Sequence, residues 1–141
     1  MELKGRVALI TGAAQGIGEG IARRIIYEGG RVAGVDIQGE GLSSLEREFG
    51  ESFLGIKADL SREAEVERIF GESVSRFGGI DILVNCAVVR SNIPLEDIDE
   101  PTMDQALAVG VKGCVLCAQR AAREMRKRGG GAIVNMSSFY A

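Results

Sequence analysis

Residues 6–28 read RVALITGAAQGIGEGIARRIIYE: an apolar run, a glycine-studded turn and a helical pattern, in that order. Val7, Ala8, Leu9 and Ile10 are consecutive and apolar, too few for a helix core, and such a run suits a strand covered on both faces of a parallel sheet. Thr11 and Gly12 end it. Beyond the turn, Ile17, Ile21, Ala22, Ile25 and Ile26 recur at helical steps, which predicts a helix with one stripe against the sheet until Gly29-Gly30 stops it. The unit is strand, turn, helix.

Gly12, Gly16 and Gly18 leave bare backbone in the turn, so a diphosphate can come close to unpaired N–H groups at the positive end of the helix dipole. The spacing Gly-x-x-x-Gly-x-Gly differs from the commoner Gly-x-Gly-x-x-Gly fingerprint, and by itself it also fits a tight turn with no ligand. Asp36 tips the reading toward a dinucleotide. It closes the apolar run Val32-Ala33-Gly34-Val35, 18 residues after Gly18, where a carboxylate accepts hydrogen bonds from a ribose diol and repels a 2′-phosphate. The plainer alternative is a solvated aspartate ending a strand. Neither Gln15 nor Ile37 supplies a cation to hold a 2′-phosphate, so the expected cofactor is NAD rather than NADP.

Composition sets the bounds. The 141 residues suffice for one domain, residues 1–141, with a real core, and the 20 glycines accompany 45% hydrophobic residues, a balance that argues against disorder. A formal charge of −3 leaves no basic footprint for nucleic acid, and Arg123, Arg126, Lys127 and Arg128 read as a solvated helix end. No apolar stretch is long enough to span a bilayer and the N-terminus does not resemble a signal peptide, so a cytoplasmic location is expected. The three cysteines do not suggest a disulfide framework, and the absence of histidine disfavours most metal sites; none is expected. Cys114 and Cys117, inside a predicted helix, read as small buried residues rather than a redox pair.

Farther along, Leu42, Leu45 and Phe49 mark a short helix ended by Gly50, and a third strand begins at Phe53 and leads to Asp59. Ser61 is the expected N-cap of a helix whose face is Val66, Ile69, Phe70, Val74 and Phe77. A fourth strand, Ile80 to Asn85, is followed by an irregular rim from Ala87 to Pro101. Thr102-Met103-Asp104-Gln105 reads as a capping box, with Leu107, Val111, Cys114, Ala118, Ala121 and Met125 turned to the core behind it. Ile133, Val134 and Met136 form a fifth strand. Alternating strands and helices predict an α/β doubly wound parallel sheet with ligands at the carboxyl ends of the strands, where Gly12, Asp36, Asp59, Asn85 and Ser138 fall.

Taken jointly, four segments resemble the short-chain dehydrogenase/reductase family, and the resemblance runs along the whole chain. These are Thr11 to Gly18, Asp59-Leu60, Asp81 to Asn85, and Ile133-Val134-Asn135-Met136-Ser137-Ser138. The resemblance implies a Rossmann fold, here truncated after the fifth strand, with NAD held by Gly12, Gln15, Gly16, Ile17, Gly18, Asp36, Ile37, Asp59, Leu60, Asn85, Cys86 and Ala87. It also implies hydride transfer between nicotinamide and an alcohol or carbonyl carbon, of the 3-oxoacyl reductase kind or of the polyol, sugar or secondary-alcohol dehydrogenase kind. Ser138 matches the serine that orients the substrate oxygen.

Three features depart from the family pattern. The Tyr-x-x-x-Lys pair expected about a dozen residues past the serine is absent from the 141 residues, and Tyr140 does not replace it. Asn85-Cys86-Ala87-Val88 stands where the family has Asn-Asn-Ala-Gly, and Gly110 stands at the position of an asparagine in the proton relay. The expectation is therefore the front part of a longer enzyme, inactive by itself, with a non-catalytic dinucleotide binder or scaffold as the alternative and a nucleotide-binding methyltransferase as a remote one. The strand Ile133 to Met136 is expected to leave an open sheet edge, and the helix Met103 to Arg128 resembles the one through which family members pair as homo-oligomers.

Overall fold

A computed structural model describes residues 2–89 and 92–137. Its five strands are β1 (Val7–Thr11), β2 (Arg31–Asp36), β3 (Phe53–Lys57), β4 (Ile82–Asn85) and β5 (Ala132–Asn135), and all neighbouring pairs are parallel. The order across the sheet is β3-β2-β1-β4-β5. The helices are α1 (Gly16–Tyr27), α2 (Gly39–Phe49), α3 (Glu63–Phe77), α4 (Glu100–Leu107) and α5 (Cys114–Lys127). Winding runs outward from β1 through β2 to β3, then crosses to β4 on the other side of β1, so the order reverses beside β1.

Every residue of β1 is buried, as the unbroken apolar run requires of a central parallel strand. Its alternate side chains serve two cores. Val7 and Leu9 join Val66, Ile69 and Phe70 of α3 and Cys117, Ala121 and Met125 of α5, whereas Ala8 and Ile10 join Ala22 and Ile25 of α1 and Leu42 and Leu45 of α2. Each large aliphatic side chain so covered contributes roughly 1.5–3 kcal/mol.

Local chemistry moves several boundaries. In α1 the buried positions are Gly18, Ala22 and Ile25; Ile17, read as part of the stripe, is 62% exposed because the first turn rises past the end of β1. Ser61 does not cap α3: Arg62 occupies the N-cap, and the Ser61 backbone N–H donates to Asp59 Oδ1 at 2.9 Å. Helix α4 begins at Glu100, ahead of the capping box read from Thr102. Asp99 accepts the Thr102 N–H at 2.9 Å, and Pro101 lies in the first turn, where its missing N–H costs nothing.

Leu107 and Val111, expected in the core, are half exposed. The backbone widens into π-helical turns over Ala108–Gly113, which shifts the phase of the helix, and burial resumes at Gly113 and continues at Cys117, Ala121 and Met125. Strand β5 forms one edge of the sheet, and its four residues are exposed among the described residues.

Arg128 is more than a solvated helix end. Its Nε and Nη2 donate to the two oxygens of buried Asp81 at 2.8 and 3.0 Å, and the Val7 N–H donates to the same carboxylate at 2.8 Å. Arg6 adds a longer contact at 3.4 Å. Burial pushes the Asp81 carboxyl up, but the bonds from Arg128 and Val7 outweigh it and hold the group below its ordinary value. Asp81 therefore adds stability that is complete above the ordinary carboxylate value of about 3.9 and is lost as pH falls through the depressed one. Asp81→Asn is expected to cost roughly 2 kcal/mol at neutral pH, less than a fully buried pair because Arg128 keeps contact with water. Urea unfolding from neutral to strongly acid pH checks this: the gap between wild type and variant should close on the acid side.

Candidate functional site

A cleft of about 510 Å³ opens at the carboxyl ends of β1, β2 and β4, where the strand order reverses. Gly12, Gln15, Gly16, Ile17 and Gly18 form one wall, Asp36, Ile37, Asp59 and Leu60 a second, and Cys86 and Ala87 a third.

The three turn glycines do different work. A Cβ on Gly18 would lie 2.0 Å from the Gly12 carbonyl oxygen, so the start of α1 rests directly on the end of β1. Gly12 has φ +70°, and a Cβ there would lie 2.9 Å from the Ala87 Cα. Gly16, with φ +60°, faces open space. Two glycines bring backbones together, and the third keeps the approach to the helix N-terminus clear.

Thr11 joins the first and third walls. Its buried hydroxyl accepts the Cys86 N–H at 3.0 Å and the Ala87 N–H at 3.1 Å, which fixes the loop after β4 against the glycine turn. Asp36 joins the first wall to the second: Oδ2 accepts the Ala14 N–H at 3.1 Å and Oδ1 the Gln38 N–H at 3.0 Å. A carboxylate offers about four lone-pair sites, so roughly two remain for donors in the cleft. Hydrogen bonds from the Ser61 side chain and backbone hold the Asp59 carboxyl below its ordinary value. It is ionised at neutral pH.

Asn85 is not on the wall of the cleft. It is buried behind it, donating through Nδ2 to Asn135 Oδ1 at 2.8 Å and to the Cys114 carbonyl at 3.4 Å, with its own Oδ1 unpartnered among the described residues. Burial raises the Cys86 and Cys114 thiols and pushes Cys117 up to about 12, so none is a ready thiolate. Gly110 is also off the wall, and a Cβ there would meet nothing within 4 Å. Ser138 and Tyr140 lie outside the described residues.

Sequence reasoning had not placed Val35, Gln38, Ala58, Val89, Gln105 and Val109 on the cleft. Val35 and Ala58 adjoin the two aspartates at the carboxyl ends of strands, a signal that could have found them. Gln105 and Val109 are brought there by the earlier start of α4 and the π-helical turns that follow it. Val88 is 67% exposed at the mouth. Among the described residues no group of His, Cys, Asp and Glu could hold a metal, and no helix is long and apolar enough to cross a membrane.

An open parallel sheet with a cleft at its point of reversal defines the doubly wound α/β class. Residues 6–141 match the short chain dehydrogenase family, and the chain belongs to that family. It is 40% identical over 139 residues to D-threitol dehydrogenase of Mycolicibacterium smegmatis, covering 96% of this chain and 54% of that protein. It is 39% identical to sorbitol dehydrogenase of Cereibacter sphaeroides, covering 98% and 54%. The crystal structure of 3-ketoacyl-(acyl-carrier-protein) reductase from Brucella melitensis complexed with NADH superposes with a TM-score of 0.90 at 33% identity, covering 96% of this chain and 58% of that one. The chain spans about half the length of the curated relatives it matches.

Alanine at Gly12 and at Gly16 separates packing from conformational strain. Gly16→Ala is expected to cost about 1–2 kcal/mol, since only left-handed strain is added. Gly12→Ala should cost roughly 3 kcal/mol, because the new Cβ also meets the Ala87 backbone. Urea denaturation of both variants checks the order, and equal costs would contradict the close approach of Gly12 to the β4 loop.

Proposed function

We propose that this chain is the cofactor-binding part of an NAD-dependent short-chain oxidoreductase that acts on an alcohol or carbonyl of a small molecule. The observation that carries the reading is the meeting, in one cleft, of the unobstructed turn at Gly16 with the Asp36 carboxylate, which the Ala14 N–H has already oriented. Gly16 and the first N–H groups of α1 would take the diphosphate, Asp36 the adenosine ribose, and Asp59 with Leu60 the adenine side. Bound there, a nicotinamide dinucleotide supplies hydride exchange with a carbon bearing an alcohol or carbonyl oxygen. Cys86, Ala87 and Val88 bound the cleft beyond β4, and Ser138 is the residue proposed to orient the substrate oxygen.

Support for NAD over NADP is electrostatic. A 2′-phosphate at Asp36 would face a carboxylate, and neither Gln15 nor Ile37 offers a cation. Polyols are the substrates to try first, given the names of the threitol and sorbitol dehydrogenases among the relatives. A second reading, a dinucleotide binder without catalysis, draws on Val88 at the cleft mouth and on Gly110 in the π-helical turns. The exposed row Met103, Leu107, Val111 and Val115 supports pairing of two copies through α4 and α5.

The full-length protein given NAD and a panel including D-threitol and sorbitol is expected to form NADH. Silence across the panel with both NAD and NADP, accompanied by calorimetric binding of NAD, would favour the second reading. Asp36→Asn keeps an acceptor for Ala14 but drops the charge, so its preference for NAD over NADP is expected to fall about tenfold or more. An unchanged preference would exclude the ribose role of Asp36. Light scattering of the full-length protein tests pairing, and a monomer at working concentration would remove that claim.

A further inference from the structure

A second recess, of about 300 Å³, lies at the amino ends of β2 and β3, the opposite end of the sheet from the cleft, and is lined by Arg31, Glu51, Ser52, Arg76 and Phe77. Arg31 opens β2 and Phe77 closes α3, so two separate elements bring their cations to one place. The Arg31 guanidinium lies 5.4 Å from the centroid of the Phe77 ring, and that of Arg76 lies 5.8 Å from it. Phe77 is 6% exposed, so the ring is a fixed platform, and stacking on it restrains two side chains that would otherwise range freely in water.

Neither guanidinium has a carboxylate within ion-pairing distance or a hydrogen bond to an acceptor among the described residues. Arg6, Arg23, Arg24, Arg68, Arg120 and Arg128 all do. Two like charges converging on one ring repel each other, and an anion between them relieves that repulsion. Planar guanidinium forks suit a tetrahedral oxyanion, with the Ser52 hydroxyl as a further donor. Glu51 on the rim leaves the recess with one net positive charge, which disfavours carriers of several negative groups.

We infer that the Arg31–Phe77–Arg76 recess is a binding site for a single phosphoryl group, either free phosphate or a small phosphomonoester, separate from the dinucleotide cleft. The bound group takes no part in hydride chemistry, because the sheet lies between it and the cleft. It ties the start of β2 to the end of α3.

Amide chemical shifts of the full-length protein, titrated with inorganic phosphate, with glycerol 3-phosphate and with chloride at matched ionic strength, test this. Saturating shifts at Arg31, Ser52 and Phe77 with the phosphate probes and not with chloride are expected. Equal affinity for the two probes assigns free phosphate as the occupant, and tighter glycerol 3-phosphate assigns a phosphomonoester. Arg76→Gln, at an exposed position, should weaken the affinity about tenfold. Arg31→Gln should do the same, and Arg31→Lys less so. Shifts confined to Gly16 and Gly18 would place phosphate in the dinucleotide turn alone and overturn the inference, as would identical responses to phosphate and chloride. Failure here leaves the NAD reading untouched, since that rests on residues at the other end of the sheet.

Discussion

The contact on which the rest depends is backbone against backbone, where α1 starts on top of the end of β1. Gly18 lies so close to the Gly12 carbonyl that no side chain fits, Gly41 of α2 rests on the Ala14 carbonyl in the same way, and Gly12 approaches the Ala87 backbone after β4 somewhat less closely. Three segments thus converge on one turn without side chains between them. The first residues of α1, Gly16, Ile17 and Gly18, consequently border a cleft rather than a packed interface, with the positive end of the helix dipole beside it. A single methyl group at Gly12 would push against the loop after β4 that Thr11 ties to the end of β1.

The two ends of the sheet divide the labour. At the amino end, Asp81 gathers Val7, Arg128 and Arg6, which fixes β1, β4 and the end of α5 relative to one another. Gly131 fits there because a Cβ would meet Met125 and the Asp81 carbonyl, so α5 can turn tightly into β5. At the carboxyl end the carboxylates of Asp36 and Asp59 are partly buried and bind backbone N–H groups of turns, which leaves lone pairs for a ligand. Asn85 connects the two roles: it sits behind the cleft and holds β5 in register through Asn135.

What could be read from the sequence was whatever depends on near neighbours. Apolar runs gave β1, β2 and β4 their places, and the glycine turn and the aspartates ending strands marked the cleft. Competition between adjacent polar groups was harder to see. Asp59 takes the Ser61 N–H, which leaves Arg62 at the N-cap of α3, and Asp99 takes the Thr102 N–H, so the cap of α4 lies upstream of the residue whose type suggested it. The exposure of Leu107 and Val111 follows from π-helical turns that a fixed helical period does not foresee. The tie between Arg128 and Asp81 spans 47 positions and exists only once α5 has packed, so composition near Arg128 could suggest nothing but a solvated end.

Asp36 shows why a cofactor half of this kind stays recognisable when its surroundings vary. The carboxylate is oriented by the Ala14 N–H, and the groups that would face a diphosphate in the proposed reading are backbone N–H groups, which every replacement except proline leaves in place. The side chain of Cys86 can then differ from the family pattern without dismantling the turn, because the hydroxyl of Thr11 holds the backbone N–H groups of Cys86 and Ala87 and not their side chains. Grip on a nucleotide and chemistry on a substrate would then be separable in this fold. In the proposed reading the first would rest on glycine positions and one carboxylate within residues 12–36, and the second on side chains around the cleft mouth.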